Sequence, residues 1–331
     1  MTHVLHLIDD PKLGGINRTL EMHANGLGDG FSVERRLVDP RGLSVAGLVA
    51  DVVVVHFTLG WRKLPFLSRL RMALRGRRLI IAEHSYTAAF EARCVPHRAR
   101  FRRMLRLGFA MADAVVAVSE GQANWLREAG LVRPDRLQVI TPISDMAAFA
   151  AIPPIEPHDG PLRLGCYGRY APQKGLFLLL EAMRALPPDC ANLSLAGYGE
   201  EEAALRQAAA DMPNVAIGPP LSHPERFLAE MDAVVMPSLW EAYGQVCAEA
   251  RAAGRPALVS DLDGLSEQVP PALLIAGPTA GAIAERIRWL ATQDLRALGE
   301  ALRPSTNGAQ ARHYAAWAAI LGGIHGRAVA A

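Results

Sequence analysis

Short runs dominated by β-branched and other apolar residues recur along the whole chain, and each is separated from the next by a stretch with helical periodicity. In the first half the runs are HVLHLI (3–8), DVVVVHF (51–57), RLIIAEHS (78–85), ADAVVAVSE (112–120) and RLQVITPI (136–143). A continuous apolar run bounded by polar residues suits a strand buried on both faces, and strands of this kind joined by helices make a doubly wound parallel sheet. A second series begins with LRLGCYGR (162–169) and continues through NLSLAGYG, NVAIG, DAVVMPS, RPALVSD and PALLIAGP. At 331 residues, half of them apolar, the chain is long enough for two cores. The expected fold is therefore α/β, with two Rossmann-like doubly wound domains: residues 1–150, a proline-rich linker at 151–161, a second domain at 162–305, and a last helical segment at 306–331.

Composition excludes several function classes. The four cysteines, Cys94, Cys166, Cys190 and Cys247, form no CxxC or Cys/His cluster, so reduced thiols are expected and no metal site. No apolar run approaches the ~20 residues of a transmembrane helix. The start MTHVLHLIDD has no basic segment or cleavage site, which predicts a cytoplasmic location. The dinucleotide fingerprint G-x-G-x-x-G is missing after the first strand, which argues against a dehydrogenase. The net charge of +2 is unevenly spread: residues 55–106 hold 13 Lys or Arg and 2 Glu, a net +11. Within them, WRKLPFLSRLRMALRGRR (61–78) and RCVPHRARFRRMLRLGF (93–109) interleave the cations with Trp61, Phe66, Phe101 and several leucines. Amphipathic basic helices of this composition suit an anionic membrane surface, with a solvated basic coat as the alternative. No nucleic-acid motif accompanies the charge, and no nucleic-acid partner is expected.

Candidate site residues collect where strands run into helices, the place where open α/β sheets bind ligands. Gly14 and Gly15 follow the first strand and permit close approach of a phosphate-bearing ligand at a helix start. His84 sits just past the carboxyl end of the strand in the third apolar run, RLIIAEHS, with His56 as a reserve at the end of an earlier one. After LRLGCYGR, Arg169 and Lys174 share one loop with Gly168, where a forked guanidinium and an ammonium can neutralise a pyrophosphate. The chain has three lysines, Lys12, Lys63 and Lys174, against 32 arginines, so a lysine here is not background. Gly197 belongs to a Gly-x-Gly turn and Gly218 to the end of a later strand. The stretch MPSLWEAYGQVCAEARAAGRP (236–256) reads as strand end, loop and helix, with Glu241 in the loop and Glu249 in the helix that opens around Tyr243, Gly244 and Gln245. Taken alone, these carboxylates either bind sugar hydroxyls or are ordinary helix-start and solvated helix residues.

The spacing of Glu241 and Glu249, seven residues apart within PSLWEAYGQVCAEARAAGRPALVSD, resembles the E-x7-E motif of retaining GT-B glycosyltransferases of sequence family 4 (glycosyl transferases group 1). The run from Gly168 through Arg169 and Lys174 to Gly175 is similar to that family's G-R-x-x-x-x-K-G pattern. The resemblance is strong from about residue 162 to 269 and weaker before it. The family's Asn-Gly-Val-Asp signature is replaced here by Pro142, Ile143, Ser144 and Asp145, with Phe149 retained.

The resemblance implies a GT-B fold whose last helix crosses back to the first domain, and a nucleotide diphosphate sugar, UDP- or GDP-linked, as donor substrate with no further cofactor. It places Arg169, Lys174, Glu241 and His84 at the transferred sugar and diphosphate, Glu249 on the ribose, and the backbone near Gly218 on the base. The glycines at 14, 15, 168, 197 and 244, with Tyr243 and Gln245, would flank the nucleotide. It further implies a metal-independent retaining hexosyltransferase, without a carboxylate nucleophile; the basic segments, beside the acceptor half of such an enzyme, suggest a lipid-linked, lipopolysaccharide or exopolysaccharide acceptor. The basic segments would make that enzyme peripheral on the inner face of the cell membrane. A GT-B sugar-nucleotide epimerase or hydrolase, and a non-catalytic nucleotide-binding membrane scaffold, share the same nucleotide site and stand as alternatives.

Overall fold

The computed structural model describes residues 1–10 and 14–323 and divides into two compact units, residues 1–144 with 308–331 and residues 145–307. Lys12 lies outside the described residues. The first unit is built on a six-stranded parallel sheet of β1 (Thr2–Ile8), β2 (Phe31–Leu37), β3 (Val52–Val55), β4 (Arg78–Glu83), β5 (Ala114–Ala117) and β6 (Leu137–Val139), in the order β2-β1-β3-β4-β5-β6. Both faces are covered. Val53 and Val55 pack in one cluster with Leu5, Leu79 and Ile81, whereas Val52 and Val54 pack in another with Val4 and Ile80. That is the period of two expected of side chains on a pleated strand. The helix Ala309–Leu321 belongs to this unit and adds Trp317, Ile320 and Leu321 to the second cluster.

β2 has no counterpart among the sequence expectations. Its sequence FSVERRL is polar because it is an edge strand, paired through β1 alone, and most of its side chains remain accessible.

The second unit repeats the architecture with β7 (Leu162–Arg169), β8 (Ala191–Tyr198), β9 (Val215–Gly218), β10 (Ala233–Met236), β11 (Ala257–Ser260) and β12 (Leu274–Ile275), ordered β12-β11-β10-β7-β8-β9. Chain direction across the sheet reverses between β7 and β10, which makes their carboxyl ends the topological switch point of this unit.

The segment expected as a linker is part of the second unit. Ile152 is buried in that unit's core, as is Phe149 from the expected first domain, and the carbonyls of residues 150–153 are tied down: Arg255 donates to Pro153 at 3.0 Å, and Arg303 donates to Ala150 at 3.1 Å and to Ile152 at 2.7 Å. Prolines raised its loop character in the sequence, but two arginines distant in sequence hold its backbone.

The basic segments also differ from expectation. They form helices at Leu64–Ala73 and Arg98–Ala110, yet Phe66, Leu67, Leu70 and Leu74 are core residues and Phe101 packs against the same core. Arg71 pairs with Asp113 at 2.7 Å, and Arg102 grips Glu91 through two 2.7 Å hydrogen bonds. The exposed apolar residues of this region are Trp61, Met72 and Leu107, with the Arg100 guanidinium 5.8 Å from the Trp61 ring. No helix among the described residues is long and apolar enough to cross a membrane.

Candidate active site

At the switch point of the second unit, the loops after β7 and β10 are joined by backbone. The Leu239 N–H donates to the Gln173 carbonyl at 2.7 Å, and the Gln173 amide returns a hydrogen bond to the Trp240 carbonyl at 3.0 Å. Gly175 makes this approach possible. It has φ of +63°, and a Cβ there would lie 2.3 Å from the Pro237 carbonyl oxygen, so no other residue fits. The helix Leu176–Arg184 starts from that glycine.

The joined loops bring Lys174 and Glu241 together as an ion pair, with Ser238 Oγ 3.4 Å from the same carboxylate oxygen. The Asp263 carboxylate accepts from the Glu241 backbone N–H at 3.1 Å, and the Gln268 amide donates to the Tyr243 carbonyl at 2.5 Å. These two bonds fix the loop that carries Glu241. Gly244, at φ +90°, is the N-cap of the helix Gln245–Ala252, whose partly positive amino-terminal end therefore lies at this loop. Tyr167, Gly168, Arg169 and Lys174 from the β7 side and Pro237 and Ser238 from the β10 side line a shallow pocket. Arg169 is exposed on it.

Glu249 is only 3% exposed and is therefore not a solvated helix residue. The Tyr167 hydroxyl donates to its Oε2 at 2.5 Å. Sequence reasoning missed Tyr167, because the tyrosine and glutamate are 82 residues apart and only the β7–β10 pairing makes them neighbours. If Glu249 holds a ribose, as the family resemblance implies, Tyr167→Phe is expected to weaken nucleotide binding about three- to tenfold, since a positioning hydrogen bond of about 1 kcal/mol is lost. Titration calorimetry with UDP reads this directly, and unchanged affinity would remove Tyr167 from the site.

Other predicted residues are placed differently. At Gly197 a Cβ would fall 1.9 Å from the Gly168 carbonyl oxygen, so its glycine is required by strand packing. The Gly218 carbonyl accepts from the Tyr170 hydroxyl at 3.0 Å, and the neighbouring Ile217 carbonyl accepts from Arg206 at 2.9 Å. Cys166 and Cys247 are buried, which pushes both thiols up to about 12 and leaves them inert.

In the first unit, Gly14 and Gly15 lie in the helix Gly14–Gly26 itself and not in a loop ahead of it, where its free N–H groups begin. His84 follows β4 and is half-buried; its Nε2 is 2.9 Å from His56 Nδ1. Burial lowers its pKa to about 4, so the ring is neutral. Beside it, burial raises the Glu83 carboxyl to about 7, against the opposing N–H bonds from Tyr86 and Ser85 at 3.0 and 2.8 Å. Lys63, at the same sheet end, is paired with Asp9 at 2.7 Å.

Two sheets of this topology, with a cation pair and two carboxylates at the second switch point, define a GT-B protein. The chain matches the family models of the glycosyl transferase 4-like domain over residues 15–142 and of glycosyl transferases group 1 over residues 161–293, and it belongs to the group 1 glycosyl transferases. Among solved structures it is similar to HepE of Anabaena in complex with UDP and glucose, with a TM-score of 0.76 at 17% identity over 97% of this chain and all of that one. Sucrose-phosphate synthase of Thermosynechococcus elongatus gives 0.70 at 20% identity, with 98% of each chain covered. A curated relative, the D-inositol 3-phosphate glycosyltransferase of Jonesia denitrificans, is 30% identical over 47% of this chain. The match spans 42% of that relative's own length.

Proposed function

We propose that the protein transfers a hexosyl group from a nucleotide diphosphate sugar to a saccharide or lipid-linked acceptor, with retention of anomeric configuration and without a metal ion. The observation that carries this reading is the convergence of Arg169, Lys174, Glu241 and the helix start at Gly244 on the switch point of the second unit, with Glu249 held by Tyr167 behind them. In the reaction the bond from the anomeric carbon to the diphosphate oxygen breaks and a bond to the acceptor oxygen forms on the same face. The acceptor proton passes to the leaving phosphate. Arg169, Lys174 and the helix N–H groups stabilise the charge that develops on that phosphate. Glu241 takes sugar hydroxyls, Glu249 the ribose, and His84 remains the sugar contact of the first unit.

Thermal-shift measurements against UDP-, GDP- and ADP-sugars test the donor: a cognate nucleotide at 100 times its Kd adds about 2.7 kcal/mol. No shift with any of them would sink the reading. Release of nucleotide diphosphate that needs an acceptor marks a transferase, release without one marks a hydrolase, and binding without release marks a scaffold. The anomeric configuration of the product, read by NMR, and a rate unchanged by chelator test the two finer statements.

We also propose a peripheral position on the inner face of the cell membrane. Its support is the net +11 of residues 55–106, with Arg75, Arg100 and Arg103 exposed near Trp61, Met72 and Leu107. With Phe66 in the core, charge carries most of the attraction, so binding should fall steeply with salt. The protein is expected to float with anionic vesicles at low salt, and R75E/R100E/R103E is expected to abolish flotation. Equal flotation of that variant would overturn the proposal.

A further inference from the structure

Five histidines of the first unit lie in one file: His84, His56, His6, His23 and His313. His84 Nε2 is 2.9 Å from His56 Nδ1, and His56 Nε2 is 2.8 Å from His6 Nδ1. His23 Nε2 is 2.7 Å from His313 Nε2, and His313 Nδ1 is 2.7 Å from the Thr141 carbonyl oxygen. Between these two segments the rings of His6 and His23 are neighbours, with centroids 5.5 Å apart, against 5.2 Å for His56–His84 and 5.0 Å for His6–His56. Burial keeps the rings neutral: His6 is lowered to about 3, His84 and His313 to about 4, and His23 and His56 fall well below the ordinary value.

A neutral imidazole has one N–H and one lone pair, so each bond fixes the tautomer of the next ring. A carbonyl can only accept. His313 therefore carries its proton on Nδ1 and accepts at Nε2; His23 donates from Nε2, and its Nδ1 is a bare lone pair. His23 Nδ1 and His6 Nε2 are the two buried imidazole nitrogens without a partner among the described residues. With the His6 proton on Nδ1, two lone pairs would be buried unpaired on adjacent rings. With it on Nε2, the unpaired donor and the unpaired acceptor belong to those neighbours, and leaving such groups apart costs more than a small ring adjustment.

We propose that the five imidazoles form one directional hydrogen-bonded file from His84 to the Thr141 carbonyl, in which His56, His6, His23 and His313 are positioning residues that hold His84 in its Nε2–H tautomer and leave its Nδ1 as an acceptor at the end of β4. An acceptor selects a donor. The ligand group that faces His84 is then a hydroxyl rather than a phosphate or carbonyl oxygen; that identification of a sugar hydroxyl rests on the nucleotide-sugar reading, whereas the file itself does not.

Long-range proton–nitrogen spectra of the full chain labelled with nitrogen-15 histidine, at pH 7.5, test the file. Expected are Nε2–H signatures for His84, His56, His6 and His23, an Nδ1–H signature for His313, and a nitrogen–nitrogen coupling across the His6–His23 link. An Nδ1–H signature or a tautomer average at His84 or His6, or no coupling across that link, overturns the proposal. His313→Phe should convert His84 to a tautomer mixture, while His313→Gln, which still accepts from His23 and donates to Thr141, should keep the single form. Dispersed ring resonances of the remaining histidines of the first unit report that each variant is folded, and if H313F does not fold the wild-type spectrum decides alone. These readouts need no turnover, so they fail or succeed independently of sugar transfer.

Discussion

Lys174→Ala is expected to lower kcat for sugar transfer by two to three orders of magnitude. The ammonium stands at the switch point on a loop fixed by Gly175, where the proposed mechanism puts the charge of the departing diphosphate, and loss of one such preorganised donor costs about 2.7–4 kcal/mol of transition-state stabilisation. Lys174 has a second role, since its ion pair with Glu241 is 22% and 12% exposed on the two sides. The single variant leaves that carboxylate in a partly desolvated place without its cation, and its melting temperature should fall as well. Adding Glu241→Gln should restore the melting temperature, which assigns the loss of stability to the unpaired carboxylate. Near-normal transfer by the single variant, measured with saturating donor, would remove Lys174 from the mechanism.

Acid is expected to unfold the first unit well above the pH at which carboxylates normally protonate. His6, His23, His56, His84 and His313 are held neutral in the fold by burial, with values of about 3 for His6 and about 4 for His84 and His313, whereas in the unfolded chain each titrates near 6.5. Below pH 6.5 the unfolded chain therefore binds more protons than the folded one. The contribution of these rings is whole above 6.5 and is lost as pH falls toward the folded values, at about 1.4 kcal/mol per pH unit for each ring that stays neutral. Glu83 acts in the opposite sense. Raised from 4.5 to about 7, it favours the fold while protonated, so its contribution is whole below 4.5 and is lost as pH rises through 7. One carboxyl thus opposes five rings between pH 4.5 and 6.5. The melting temperature should fall steeply from pH 7 to pH 5, and a flat profile would show that the rings take up protons without leaving the fold.

Much of the candidate site could be read before the structure. The Gly168, Arg169, Lys174, Gly175 run and the Glu241/Glu249 pair are local patterns, because a strand end, a loop and a helix start are each written in consecutive residues. Their partners were less legible. Asp263 and Gln268, which hold the Glu241 loop, and Tyr167, which holds Glu249, carry no local signal, since each acts from another strand end or loop. The basic segments show the converse failure. Their leucines and phenylalanines looked like a membrane-facing stripe, but an apolar stripe on a helix has the same period whether it faces lipid or the protein's own sheet.

By itself the sequence determined that the chain alternates buried strands with helices, that two such series exist, and that cations and carboxylates stand at particular strand ends. These depend on side-chain periodicity and on glycine and proline chemistry, which act over a few residues. Only the tertiary structure decided which charges are paired, which apolar residues are core, and where the 145–155 segment belongs. The histidine file is the clearest case: its links join residues 28, 50 and 290 positions apart. The parallel register that sets His6 opposite Val54, two residues before His56, and the packing of the Ala309–Leu321 helix on this unit's sheet create it. No single stretch could have announced it, because hydrogen bonds between imidazoles depend on distances that only the folded sheet fixes.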